Sequence, residues 1–302
     1  MSAATATARE LTVSLSGRRS RDRNLGSMLF LGALWFSLFF GVMVLVALII
    51  DTAVTGAPRF DADLVTRYDS TITPESTGFR AGILGSVWLM VATAAMTIPL
   101  GIAAAVYLEE FADTNKWYNR VIEINIQNLA AVPSIVYGIL AVAVMALLGY
   151  QQKGIVLGGA IALSLLILPV IIITTREAVR AVPRDIREGS LALGATVWQT
   201  TWRQTLPSAI PGISTGTILG LSRAIGEAAP LVMLGLASSV RFDPAGLESL
   251  VTALPIQIYG LAANSQESYK QAAAAAIILL LVMILGMNAL AIFIRNKFQR
   301  SW

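Results

Sequence analysis

Long uncharged runs alternate with charged connectors along this chain. Leu25–Ile50 has 26 residues without a charge, Ala81–Leu108 has 28, Ile124–Gln152 has 29, Gly154–Thr175 has 22 and Gln271–Ile294 has 24. A helix rises ~1.5 Å per residue and the hydrocarbon core is ~30 Å thick, so about 20 residues suffice to cross. A further run, Gln204–Ser222, has 19 residues, is interrupted by Arg223 and Glu227, and resumes to Val240. No short alternating segments of the kind that build a barrel are present. Backbone in lipid must satisfy its own hydrogen bonds, so the runs are expected to be helices. The pattern predicts an all-α integral membrane protein with six transmembrane helices. A tail at 1–27 precedes the first helix at 28–50. An external loop at 51–79, a five-helix domain at 80–295 and a tail at 296–302 follow.

Composition and charge sharpen this reading. Charged residues make up 13% of the 302, against about 25% in a soluble chain, which argues against a water-soluble enzyme. Cys and His are both absent. That removes disulfide frameworks, Cys/His zinc sites, Cys nucleophiles and His-based relays. Fifteen of the 22 Lys and Arg fall on connectors that share one side: five in the N-terminal tail, then Lys116, Arg120, Arg176, Arg180, Arg184, Arg187, Arg203, Arg295, Lys297 and Arg300. Six lie on the other side, and Arg223 lies within a run. The positive-inside rule therefore predicts a multi-pass protein of a bacterial plasma membrane with both termini cytoplasmic. The net charge of +4 is spread over loop ends and forms no nucleic-acid patch. The first run exceeds the 7–15 residues of a signal-peptide core, so it is expected to be a retained helix.

The longest cytoplasmic connector leads into Val182–Ile213, VPRDIREGSLALGATVWQTTWRQTLPSAIPGI. Trp198 and Trp202 stand at i and i+4 and share a helix face. Gly194 permits a sharp turn between two short helices. These features fit either an amphipathic helix lying on lipid or a projecting knob. Glu188, Gly194 six residues later, and the closing Leu206–Pro207 have the spacing of the EAA loop, and the segment resembles that loop of inner-membrane permease subunits of ABC importers. Gly189 and Ser190 stand where the pattern has Ala-Ala, and Gln204 where it has Ile. The resemblance implies the type I ABC importer (MetI-like) permease fold. It also implies that residues 182–207 dock into an ATPase subunit, with Glu188, Gly194, Trp198, Leu206 and Pro207 as coupling residues.

A second motif is LSRAIGEAAPLVMLG, Leu221–Gly235. An Arg at the bilayer centre costs about 2.5–3.5 kcal/mol on insertion scales and normally finds a partner in the bundle. Glu227, one turn from Arg223, is such a partner, and the two form either a packing pair or part of an anion path. A guanidinium is charged at any pH and offers a planar fork to phosphate-type oxygens. GEAAPL is similar to the GETAPL signature of phosphate permeases within the same importer family, and LPIQIY (Leu254–Tyr259) is similar to another of their segments. This resemblance covers about residues 80–295. It implies phosphate import together with a second permease subunit, two ATPase subunits and an external phosphate-binding protein. It places functional weight on Arg223 and on an acidic residue before the EAA loop, here Glu177. Thr174 stands where some members carry a further Arg. Arg176 is near enough to substitute, or it anchors the helix at the cytoplasmic face. Glu227 and Glu177 are expected to moderate the grip of Arg223 on the anion.

No Gly-x-x-x-x-Gly-Lys-[Ser/Thr] motif occurs around the four lysines, so no ATP site of that kind is expected in this chain. ATP and Mg²⁺ belong to the partner ATPase, the chain is expected to carry no cofactor and no metal, and it is not expected to be an enzyme. Two other transport readings remain: a permease for sulfate or molybdate, and an ion-coupled secondary transporter. The second is disfavoured by the few interior ionisable residues and the lack of an inverted hydropathy repeat. Gly216-x-x-x-Gly220 is a spacing that lets helices approach closely. Pro99, Pro133, Pro169 and Pro211 either kink helices along a pathway or are merely tolerated there.

Overall fold

The computed structural model describes residues 25–70, 73–113 and 115–298. The predicted tails up to residue 24 and beyond residue 298 lie outside them. Residues up to Asp51 form one compact unit and those from Thr52 onward form a second. Helix α1 (Leu25–Gly56) provides the described part of the first. It is apolar all round, the composition of a helix surrounded by lipid.

The second unit is helical, and among its described residues the only strand-like pairing is one bridge, Ile155 to Leu250. After the short helix α2 (Asp63–Thr66), α3 (Arg80–Val106) runs on through a π-helical turn at Tyr107–Phe111. Helices α4 (Trp117–Ala130) and α5 (Ser134–Leu147) follow, then α6 (Val156–Arg180). Two short helices, α7 (Arg184–Ala192) and α8 (Val197–Thr200), lead through a second π turn at Thr201–Thr205 into α9 (Leu206–Ile225). The last elements are α10 (Ala229–Leu234), α11 (Leu254–Ala262) and α12 (Glu267–Phe298).

The centre of the bundle is α6. Gly158, Gly159, Ala160, Ile167 and Ile171 are all buried, and α3, α5 and α9 pack around it. Lipid is as apolar as these side chains, so close packing rather than escape from water must hold the helices together. The α6/α9 contact shows how. Gly212 faces Ala178, Gly216 faces Thr174 and Gly220 faces Ile171, so the two antiparallel helices meet along a seam of small residues. A Cβ on Gly216 would overlap the Thr174 side chain. The hydroxyl of Thr174 donates to the Val170 carbonyl of its own helix at 2.9 Å, which satisfies it without a partner across the seam.

Two of the predicted unbroken helices are interrupted. The run 124–152 is divided into α4 and α5, whose axes turn by 112°. Pro133 has no N–H and disfavours helical backbone at Val132, so the ladder stops there. The run 204–240 also breaks. Helix α9 closes in a tight turn, with Gly226 and Glu227 N–H donating to the carbonyls of Arg223 and Ala224. The short α10 then ends at Gly235, where φ is +81°. Among the described residues four helices are long and apolar enough to cross a membrane, and the bent pair makes a fifth. Gly, Ser and Thr dilute the apolarity of α9, because that helix spends its surface on close packing.

The segment between α10 and α12 is partly helical. Its LPIQIY stretch is the buried helix α11, with Leu254, Pro255, Ile256 and Gln257 inside. The Leu254 N–H, an orphan at the start of the helix, donates to Ser86 Oγ of α3 at 2.9 Å. The preceding residues cap α6, whose Val156 and Leu157 N–H groups donate to the carbonyls of Ser249 and Leu247. Arg80 grips Asp243 through two hydrogen bonds of 3.1 and 2.6 Å, and the Tyr68 hydroxyl donates to the same carboxylate. The Arg80 bond holds the Asp243 carboxyl below its ordinary range.

The seam makes a prediction. Gly216→Val inserts branched carbons where Thr174 already sits, and overpacking of this kind costs about 1–3 kcal/mol. Thermal unfolding in detergent, followed by the loss of monodisperse protein, should begin several degrees lower. Gly226→Ala, with nothing but its own turn nearby, should leave the midpoint unchanged.

Candidate functional site

Register along the α6/α9 seam sets the depth of Arg223. Residues 212, 216 and 220 pair with 178, 174 and 171, so residue 223 lies level with residue 168, the midpoint of α6 (Val156–Arg180). The apolar runs therefore carry a guanidinium at mid-span. Its Nε lies 3.5 Å from Glu227 Oε1, with 47% of the Arg side chain and 23% of the Glu side chain exposed. Glu227 is not one turn further on the same helix. It stands in the gap between α9 and α10. Non-helical backbone at membrane depth is tolerated where it lines a cavity or is covered by protein, and here charged side chains flank it.

The second interrupted helix meets this gap. Gly138 of α5 lies against the backbone of Pro230 and the side chain of Met233 on α10. Tyr137, buried on α5, lies within electrostatic reach of Arg223 and donates its hydroxyl to the Leu129 carbonyl at 2.6 Å. That carbonyl belongs to the last turn of α4, where the bend frees backbone acceptors. Ser222, next to Arg223, is hydrogen-bonded to Asn288 of α12. Arg223 thus sits near the place where two helix breaks come together, with Glu227 as its ion-pair partner. Sequence reasoning missed Tyr137 and Asn288. Neither carries a charge, and the approach of Tyr137 to Arg223 and of Asn288 to Ser222 depends on the bend and on α12.

Glu177 and Arg176 lie elsewhere. Glu177 is nine residues beyond the level of Arg223 on α6, or about 14 Å along the axis, and it is exposed. Arg176 points into a network near the end of α3. Its Nε is 3.3 Å from Glu109 and its Nη1 is 3.1 Å from Glu123, and its side chain is 11% exposed. Arg180 also bonds Glu109, through contacts of 2.8 and 2.9 Å. The structure brings Arg223 and Glu227 together and does not bring Arg176 or Glu177 to them. The Glu109–Glu110 pair was visible in the sequence, but its partners are 67 or more residues away.

The segment predicted to couple to an ATPase is a bent pair of helices. Gly194 takes φ +86°, the left-handed conformation that costs other residues about 1–2 kcal/mol, and turns α7 toward α8. Ser190 and Thr200 share a hydrogen bond of 2.9 Å across the bend. Thr196 and Gln199 form a reciprocal capping box at the start of α8. Glu188 is exposed on α7. Trp198 and Trp202 lie 5.4 Å apart, 60% and 50% exposed, and Phe111 at the end of α3 lies 5.9 Å from Trp198. Leu206 packs beside Val179, Val182, Ala209 and Ile213. Pro207 has no N–H for the Arg203 carbonyl, which lies in the π turn. Arg187 joins the segment to α3 by an ion pair of 2.9 Å with Glu110 and donates to the Val179 carbonyl at 2.6 Å.

Glu109 holds two arginines from a position 13% exposed. Glu109→Gln should leave Arg180 without its carboxylate and Arg176 with Glu123 alone. Charge-assisted bonds of this type are worth about 1.5–3 kcal/mol. A drop of that size should be read in denaturant unfolding, and Glu123→Gln, whose carboxylate is 39% exposed, should cost less.

Comparison with known proteins agrees with this geometry. The profile of the binding-protein-dependent transport system inner membrane component family matches residues 97–300. The phosphate transport system permease protein PstA of Mycobacterium leprae is 34% identical over 291 residues, covering 93% of this chain and 91% of that one. The PstA protein of Haemophilus influenzae is 29% identical, covering 92% and 96%. Among solved structures, a bacterial alginate ABC transporter in complex with its pentasaccharide-bound periplasmic protein aligns with a TM-score of 0.62 at 18% identity, over 93% of this chain and 96% of that one. The MetNI methionine transporter aligns at 0.56 and 18% identity, over 74% and 98%. The fold is the type I ABC importer permease fold, and the chain belongs to the family of binding-protein-dependent transport system inner membrane components.

Proposed function

We propose that this chain is a permease subunit of an ATP-driven phosphate importer of the plasma membrane, and that Arg223 is a stopping place for phosphate on its way across. The carrying observation is the mid-span Arg223–Glu227 pair at the junction of two broken helices. The guanidinium is half exposed in the single chain, so it faces space that a second permease subunit would enclose. Its carboxylate neighbour at 3.5 Å competes for it, which keeps an anion from binding too tightly to leave. The PstA names of the relatives supply the substrate class.

In this reading the α4–α5 pair counts as one crossing and α9 as another, which makes six with α1, α3, α6 and α12. Both termini are then cytoplasmic, as the distribution of Lys and Arg requires. The exposed tryptophans and the Gly194 bend form the surface that docks on an ATPase subunit. ATP and Mg²⁺ act there and not on this chain, and an external binding protein delivers phosphate. Closure of the ATPases would push on a rigid lever: α8, the π turn and α9 form one continuous helical run, and the seam against α6 carries the motion to Arg223.

Two measurements test this. Arg223→Gln should lower phosphate uptake at least tenfold, the worth of one charge-assisted bond, while the assembled complex remains at its normal level in membranes. Unchanged uptake overturns the pathway role, and loss of uptake together with loss of the complex assigns the pair to packing. Gly194→Val should leave Arg223 untouched and uncouple ATP hydrolysis from uptake, because a β-branched residue resists φ +86°. Full coupling in that variant refutes the docking assignment.

A further inference from the structure

A polar cavity of about 120 Å³ lies between the segment after α2, the residues following α10, helix α11 and the start of α12. Asp69, Ser70, Ser238, Gln257, Asn264 and Tyr269 line it. Two of these are deeply buried and incompletely satisfied. Asp69 is 7% exposed and Gln257 is 1% exposed. Asp69 Oδ1 and both amide atoms of Gln257 have no hydrogen-bond partner. Burying an unpaired carboxylate oxygen and a whole amide is expensive, and the two expenses meet in one space.

The polar lining is rich in oxygen. It offers a carboxylate, two amide oxygens and three hydroxyls, with no thiol and no imidazole. Hard oxygen donors of this kind suit hard cations. One carboxylate is too little charge for the usual Ca²⁺ site, which draws on several. The other side of Asp69 is committed: the Ser239 hydroxyl and the Ser70 N–H bond to it, and the Arg241 charge lies within electrostatic reach. Burial nevertheless pushes its carboxyl above the ordinary range, as expected for an anion that lacks a counter-charge at close quarters. The Gln257 oxygen rests against Gly82, and a half-turn of the amide exchanges its oxygen and nitrogen. The cavity volume suffices for an ion with one or two waters.

We infer that this cavity binds a small hard monovalent cation of the sodium class, held by Asp69 with the oxygens of Ser238, Gln257 and Asn264. The ion ties Asp69 to the Ser238–Asn264 region, which is remote from it in sequence, on the side of the Arg80–Asp243 clamp. It therefore sets the stability of that outer face. It takes no part in the Arg223 site, and the inference stands or falls independently of the phosphate reading.

The test is thermal unfolding of the full permease complex in nanodiscs, in sodium chloride or choline chloride at equal ionic strength. Sodium should raise the midpoint by about 2 °C or more at saturation, as expected for a ligand that binds only the folded state. Asp69→Asn should abolish the response, and Asn264→Ala should shift the half-saturating sodium concentration upward about tenfold, the effect of losing one good ligand. If Asp69→Asn fails to assemble, Asn264→Ala and Ser238→Ala carry the test alone, since each removes a neutral oxygen. Equal midpoints in sodium and choline overturn the site and leave a hydrated cavity. Stabilisation by micromolar calcium and not by sodium overturns the monovalent assignment.

Discussion

The close approach of α9 to α6 is the constraint on which the rest depends. Lipid offers these helices no reward for burying apolar surface against each other, so only contact distance can bind them. Gly212, Gly216 and Gly220 give that distance against Ala178, Thr174 and Ile171. The same seam fixes the register, and the register sets Arg223 level with the middle of α6. It also links the bent segment of α7 and α8 to the mid-span charge, because α8, the π turn and α9 are one uninterrupted helical path. The small residues that make the seam lower the apolarity of α9, which is why it reads as the weakest of the predicted spans.

Charge is placed sparingly and with different purposes at three levels. Near the end of α3, Glu109, Glu110 and Glu123 answer Arg176, Arg180 and Arg187, so basic residues from which the sidedness is predicted are also structural partners. At mid-span Arg223, in the last turn of α9, faces Glu227 in the gap that follows. Near the start of α3, Arg80 and Asp243 close a junction between segments 163 residues apart. In the first and third networks a central carboxylate, Glu109 or Asp243, accepts three hydrogen bonds. The middle pair is the loosest of the three, 3.5 Å apart with half the arginine open. In the proposed reading Arg223 exchanges partners, which a locked group could not do, and that contrast distinguishes it from Arg176.

Much of this was legible in the linear pattern. Helical spans, the all-α class and the family follow from uncharged runs and from motif spacing, because both depend on local periodicity and on the solvent that surrounds the chain. The Gly194 bend and the pairing of Arg223 with Glu227 are short-range features and were readable for the same reason. The two helix breaks were not. Pro133 signals a possible stop, but nothing local distinguishes it from Pro99, Pro169 or Pro211, which sit inside continuous helices.

What the sequence determined by itself is therefore the medium, the helical class, the sidedness expected from its basic residues and the identity of the two unusual intramembrane charges. Tertiary structure decided which runs bend, that LPIQIY is a buried helix rather than a loop, that Arg176 belongs to Glu109 and Glu123, and that Tyr137 and Asn288 approach Arg223 and Ser222. The reason is physical. Periodicity and hydropathy are properties of neighbours within a few turns, whereas a break is settled by whether another segment satisfies the freed backbone groups, and a pairing by which helices touch. Those partners lie from 53 residues away, as Glu123 from Arg176, to 168, as Ser86 from Leu254, and only packing brings them together.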